Sequence, residues 1–214
     1  MNVTTSIVIL CIFFFIFQAL LGPDFTSVGV LSSSLLLEEP WRIFTSMFLH
    51  GDLGHLFFNM FALFIFGNAL EKRVGGPLFL LIYLVSGVAG AAGFMLFSAP
   101  YANALGASGA IFGIIGALII VAPKMTVYLF GGIPMPMFVV GILYAFIEVF
   151  ALSGQGDGIA HSAHLLGLIG GAGIVSIYKK KEEELYSLTV NKAIAVSVVF
   201  GLLVALFFGY INAV

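Results

Sequence analysis

Charge is what this chain has least of: Asp, Glu, Lys and Arg make up 8% of its 214 residues, where a soluble globular domain carries about 25%. With 61% hydrophobic residues and a mean hydropathy of +1.18, a water-soluble fold is excluded. A net charge of −2 and no basic run beyond Lys179-Lys180-Lys181 exclude nucleic acid as a partner. Cys11 is the single cysteine, so no internal disulfide can form, and inside an apolar run it reads as a packed or lipid-facing thiol. The 26 glycines follow no G-X-Y period, which excludes collagen. They suit a bundle of closely packed membrane helices, where small residues let backbones approach. The opening MNVTTS has no basic residue and no clear cleavage site follows, so residues 1–22 read as a retained first helix. No polar linker interrupts the apolar stretches, and residues 1–214 read as one membrane domain.

A spanning helix needs about 20 predominantly apolar residues. Seven segments qualify or nearly so: 4–22, 53–70, 78–98, 107–122, 126–150, 159–178 and 190–211. The expected fold is an all-α polytopic bundle. Gly131-Gly132, Pro134 and Pro136 interrupt the fifth segment, so its first half is expected to be irregular or re-entrant. Between Gly22 and His50 runs the one long connection, where Trp41, Phe44, Met47 and Phe48 predict a partly immersed loop with an aromatic interface anchor. With a cytoplasmic N-terminus, Lys72, Arg73, Lys124, Lys179, Lys180, Lys181 and Lys192 fall inside and only Arg42 outside. That is a strong positive-inside bias.

Polar groups within membrane segments are costly, and each is a functional hypothesis. All four histidines, His50, His55, His161 and His164, fall in the outer half under this orientation. Counting helical rise back from the cytoplasmic ends puts Ser108, His164 and His55 at one height, ~21–22 Å up a hydrocarbon core of ~30 Å. Asn59 lies one turn deeper. A serine hydroxyl is a poor nucleophile without a base in reach, and a neutral imidazole supplies one. Donors for an oxyanion would be the Asn59 amide, the His55 ring and the Ser108 backbone N–H at a helix start. A pair on segments four and six needs close helices, and Gly109-xxx-Gly113 and Gly167-xxx-Gly171 are small-xxx-small faces that permit it.

Each feature alone has a plainer reading. Ser108 in isolation would be a helix cap or back-bonded serine, and Gly106 and Gly109 could serve only the turn and packing. His161 reads as a structural or rim residue, and Asp157 as a solvated loop charge. Glu71, beside Lys72 and Arg73, reads as the solvated inner end of helix two. Glu148 near the outer end of segment five reads as water-facing or hydrogen-bonded, so the sequence predicts a Ser–His dyad and not a triad.

Taken together these residues resemble the rhomboid family. Trp41-Arg42 resembles its Trp-Arg element; His50, His55 and Asn59 have its His-x4-His-x3-Asn spacing; Glu71-Lys72-Arg73 follows where its second helix closes. Gly106-Ala107-Ser108-Gly109 is similar to its GxSG motif and Ala163-His164-Leu165-Leu166-Gly167 to its AHxxG motif. The resemblance implies a six-helix core over about 4–178 with an additional helix at 190–211. It further implies Ser108 as nucleophile, His164 as general base, and His55 and Asn59 in the oxyanion hole, with Trp41, Arg42, His50, Glu71, Gly106, Gly109, Gly113, Gly167 and Gly171 as structural support. No cofactor or metal is implied. Substrates would be transmembrane segments of other proteins, reached laterally through the bilayer and cleaved toward the outer face of a cell membrane. The fifth helix and the 152–158 loop would act as gate and cap. A second reading, a metal site of His50, His55, His161 and His164 with Asp52 or Asp157, leaves Ser108 and Asn59 unexplained. A third is a non-catalytic binder of membrane helices.

Overall fold

A computed structural model describes residues 1–35, 38–99, 101–129, 132–152 and 160–182; the seventh segment, 190–211, and the 153–158 loop lie outside them. The helices are α1 (Val3–Leu21), α2 (Pro23–Gly29), α3 (Arg42–Thr45), α4 (Leu53–Val74, with a π turn at Leu63–Gly67), α5 (Gly76–Phe97), α6 (Ser108–Val121), α7 (Met137–Ala151) and α8 (His161–Glu182). Four of these, α1, α4, α5 and α8 through Tyr178, are long and apolar enough to cross a membrane. Their outward residues, among them Phe13, Phe57, Phe58, Phe61, Phe64 and Leu81, are exposed, as lipid contact requires.

The first half of the fifth segment is an antiparallel hairpin, β3 (Thr126–Leu129) with β4 (Ile133–Pro136), so only Met137–Ala151 of that stretch is helical. Proline is the cause, since it lacks the N–H a helix interior needs. A second, two-residue pairing of β1 (Leu31–Ser32) with β2 (Asn103–Ala104) ties the long connection to the strand of chain entering α6. Within that connection Arg42 is buried and donates to the Val30 carbonyl at 2.9 Å while pairing with Glu39. Trp41 and Phe44 stay exposed, as an interface anchor would, but Met47 is buried against Gly87.

Glu71 corrects its sequence reading. It is buried, and its carboxylate accepts from the Val3 and Thr4 amides at 2.8 Å each and from the Thr4 hydroxyl at 2.6 Å. The first amides of a helix lack intrahelical acceptors and attract negative charge. Glu71 therefore fastens the start of α1 to the C-terminal end of α4. Gly75, at φ +80°, then turns the chain directly into α5.

The centre of the molecule is a three-helix seam of small residues. A Cβ on Gly167 would overlap the Gly109 carbonyl, and one on Gly171 the Gly113 carbonyl. At Gly113 it would overlap Ser86 and stand 2.9 Å from the Gly167 oxygen. The paired positions ascend together, so α6 and α8 run parallel, and α5 fits antiparallel between them, with Gly90 facing Gly109 and Ala163, and Gly93 facing Ser162. Lipid tails are as apolar as leucine, so close van der Waals approach is what holds such helices together.

Candidate active site

Ser108 opens α6, and Gly106 sets its position. Gly106 has φ +124°, a region L side chains rarely adopt, and a Cβ there would come within 2.7 Å of His55 Nε2. Only glycine fits. The amide of Ser108 lies in the first turn of α6, where no carbonyl within the helix accepts it.

On α8, His164 presents Nε2 to Ser108 Oγ at 2.8 Å. Its ring stacks on Phe112, one turn below Ser108 on α6, with centroids 4.3 Å apart and planes 4° from parallel. The other nitrogen, Nδ1, meets Glu148 Oε1 at 2.9 Å, and the second oxygen of that carboxylate meets His161 Nδ1 at 2.6 Å. Glu148 and His164 are both buried. A carboxylate accepts only, so it fixes the proton of His164 on Nδ1 and leaves Nε2 as the acceptor facing the serine hydroxyl. The water-facing alternative for Glu148 is thus corrected: it is hydrogen-bonded and forms a third member of the chain Ser108–His164–Glu148. Cost was the signal available in the sequence, since a carboxylate in an apolar helix requires a partner.

Across from this chain stand His55 and Asn59 on α4. Asp52 caps α4 by accepting from the His55 amide at 2.8 Å. The Gly51 amide donates to His55 Nδ1 at 3.4 Å, which puts the ring proton on Nε2, the atom beside Gly106. Asn59 is buried with its amide nitrogen lacking any acceptor among the described residues, and that nitrogen lies 3.6 Å from where a Gly106 Cβ would be. Two donors therefore face the strand leading into Ser108. His50 is buried, with its ring edge-on to His55 at 5.2 Å and its backbone held by Gln18 at 3.0 and 3.1 Å. Burial, with His55 beside it, pushes its pKa down to about 4, so it is a neutral packing ring at ordinary pH. The four histidines form two pairs and not one ligand set; among the described residues the group that converges is Glu148, His161 and His164.

Beside Ser108 a cavity of about 40 Å³ lies between Ser46, Met47, Gly90, Ala91, Gly106 and Ala163. Its size admits a water or a small side chain.

A protein-family model described as the Rhomboid domain matches residues 37–181. The chain is 40% identical over 147 residues to rhomboid protease GluP of Bacillus subtilis, covering 67% of this chain and 27% of that one. It is 34% identical to the putative rhomboid protease YdcA of the same organism, over 69% of this chain and 72% of the relative. With rhomboid protease GlpG of Salmonella choleraesuis it shares 29% identity over 79% of its own length and 60% of the relative's. The chain thus spans about a quarter of the length of GluP.

Proposed function

The chain belongs to the rhomboid family, and from that premise we propose that it is an intramembrane serine endopeptidase that cuts transmembrane segments of other membrane proteins. What carries the reading is the 2.8 Å approach of Ser108 Oγ to His164 Nε2 inside an apolar bundle. His164 takes the hydroxyl proton as Oγ attacks the peptide carbonyl carbon. The resulting oxyanion accepts from the Ser108 amide, His55 Nε2–H and the Asn59 amide. Protonated Nε2 then gives its proton to the leaving amine, and a water, activated by the same nitrogen, hydrolyses the acyl-enzyme. The test is covalent labelling of detergent-solubilised protein by a fluorophosphonate, with and without chelator, beside cleavage of a reporter membrane protein. Labelling retained in chelator supports a serine enzyme; cleavage lost in EDTA supports a metalloenzyme instead.

The site opens toward the outer face in this reading. Ser108, His164 and His55 occupy the starts of α6, α8 and α4, while Lys72 and Arg73 lie in the last turn of α4, Lys124 follows α6, and the 179–181 lysines stand at the end of α8. Lateral access past α7 is supported by its packing: Met137, Val140, Gly141 and Glu148 are its buried residues, and Phe138, Ile142, Phe146, Ile147 and Phe150 are exposed.

Glu148 acts as a positioning residue for His164. Glu148→Gln is expected to lower kcat by roughly 10²- to 10⁴-fold, the range set by losing the carboxylate that holds a catalytic histidine in its tautomer. KM and Tm should stay near wild type, because a glutamine fills the same volume. A kcat equal to wild type would remove Glu148 from the mechanism.

A protease reads an extended backbone, and an intact helix hides its carbonyls in i to i−4 bonds. Glycine or proline near the outer end of a substrate helix lowers the cost of unwinding, by about 1 and 3 kcal/mol per residue against alanine. Reporters with Gly-Ala or Pro in the outer turns should be cut at least tenfold faster than poly-Leu versions. Equal rates for both would contradict access by unwinding.

A further inference from the structure

We propose that Glu148, His161 and His164 bind a divalent transition metal of the zinc class, and that the bound ion holds the enzyme off. The switching part rests on His164 being the general base; the binding part does not. One ligand atom from each of the three residues lies within 4.8 Å of the others, and Nδ1 of each histidine already meets an oxygen of Glu148. Two imidazoles and a carboxylate are the donor set that zinc takes with three protein ligands and a water. The histidines stand three residues apart on α8 and the carboxylate comes from α7, so the ligands converge from two helices. Zinc binds such ligands at about 2.0–2.2 Å, which puts tetrahedral neighbours about 3.3 Å apart. The histidine–carboxylate separations of 2.6 and 2.9 Å are hydrogen-bond contacts shorter than that bite, so the side chains open slightly by rotation to admit the ion.

The inhibitory consequence follows from which nitrogen the metal takes. To bind at Nδ1, each neutral imidazole gives up its Nδ1 proton and gains one at Nε2 through solvent, so no net proton is released. Two metal–nitrogen bonds and one metal–oxygen bond replace the two hydrogen bonds to Glu148. Nε2 of His164 then carries a proton, faces Ser108 Oγ as a donor, and has no lone pair with which to accept. Stacking on Phe112 keeps the ring in this plane, so the metal form differs from the active form by a tautomer and not by a displaced helix.

Zinc binding is measured by equilibrium dialysis on the full chain carrying Ser108→Ala, which prevents self-cleavage. One ion per chain is expected, with affinity falling at least tenfold when His161→Gln is added. Separately, zinc should slow fluorophosphonate labelling of chelator-treated wild type at least tenfold, chelator should restore it, and His161→Gln should be unresponsive relative to its own zinc-free rate. No saturable binding, or binding lost with His55→Ala and kept in His161→Gln, overturns the site. Stoichiometric zinc with undiminished labelling overturns the switch. If chelator-treated wild type is never labelled, the serine-protease reading fails, and dialysis still decides the metal site.

Discussion

Ser108→Ala is expected to abolish both fluorophosphonate labelling and reporter cleavage, a loss on the order of 10⁶-fold in kcat when the nucleophile of a Ser–His unit is removed. The hydroxyl is the group that forms the covalent bond, and no other nucleophile is placed against His164 Nε2 by the described residues. His164→Ala should cost a similar factor, and the double variant little more, because the two act as one unit. Alanine at 108 is a good helix former and leaves the glycine seam untouched, so the variant should insert, express and melt like wild type. That separates chemistry from folding. Undiminished cleavage by Ser108→Ala, scored against wild type on a gel at matched protein levels, would refute the assignment of Ser108.

The second large effect is expected at the seam. Gly113→Leu and Gly167→Leu should lose at least ~100-fold in cleavage and labelling, since misplacement of reacting groups by about 1 Å costs that much. At Gly167 the new side chain meets the backbone of Gly109, one residue from Ser108, and at Gly113 it meets Ser86 and the Gly167 carbonyl. Backbone cannot rotate aside as a side chain can, so α6 and α8 must separate. A Ser–His distance beyond the ~2.6–3.2 Å needed for proton transfer follows. Gly173 is the control: a Cβ there meets nothing within 4 Å, and Gly173→Leu should leave activity and Tm within a small margin of wild type. If both packing variants stayed fully active and equally heat-stable, the close approach of α6 and α8 would be wrong.

The sequence carries depth better than it carries direction. Counting rise from the lysine-marked ends places Ser108, His164 and His55 in one layer, and they occupy corresponding starts of α6, α8 and α4 in the structure. The Gly109, Gly113, Gly167 and Gly171 faces meet as their spacing predicts. Which way a polar side chain turns is a different question, because apolarity all round a membrane helix erases the periodicity that reveals a buried face. Glu148 is therefore placed near the right height and given too little work, and Glu71 is mistaken for a solvated end when its partners, Val3 and Thr4, lie 68 and 67 residues away. The same erasure hides the third helix of the seam. Ser86, Gly90 and Gly93 of α5 are as essential to it as the four glycines singled out, yet in sequence they are indistinguishable from small residues facing lipid. In segment five the glycines and prolines mark the irregular first half, which the structure makes a hairpin ahead of α7, though hydropathy does not reveal its strand pairing.

The brevity of α7 bears on the surrounding lipid. Its 15 residues rise ~22 Å, some 8 Å less than the ~30 Å hydrocarbon thickness, and its exposed phenylalanines and isoleucines put that short span against acyl chains. Such hydrophobic mismatch is relieved by thinning the neighbouring leaflet, at fractions of a kcal/mol per ångström. A substrate helix of ordinary length arriving beside α7 would then overshoot the local bilayer by about one and a half turns. Those turns would meet water and headgroups before any protein contact, so under the proposed activity a thinned bilayer would itself favour part of the unwinding that cleavage demands.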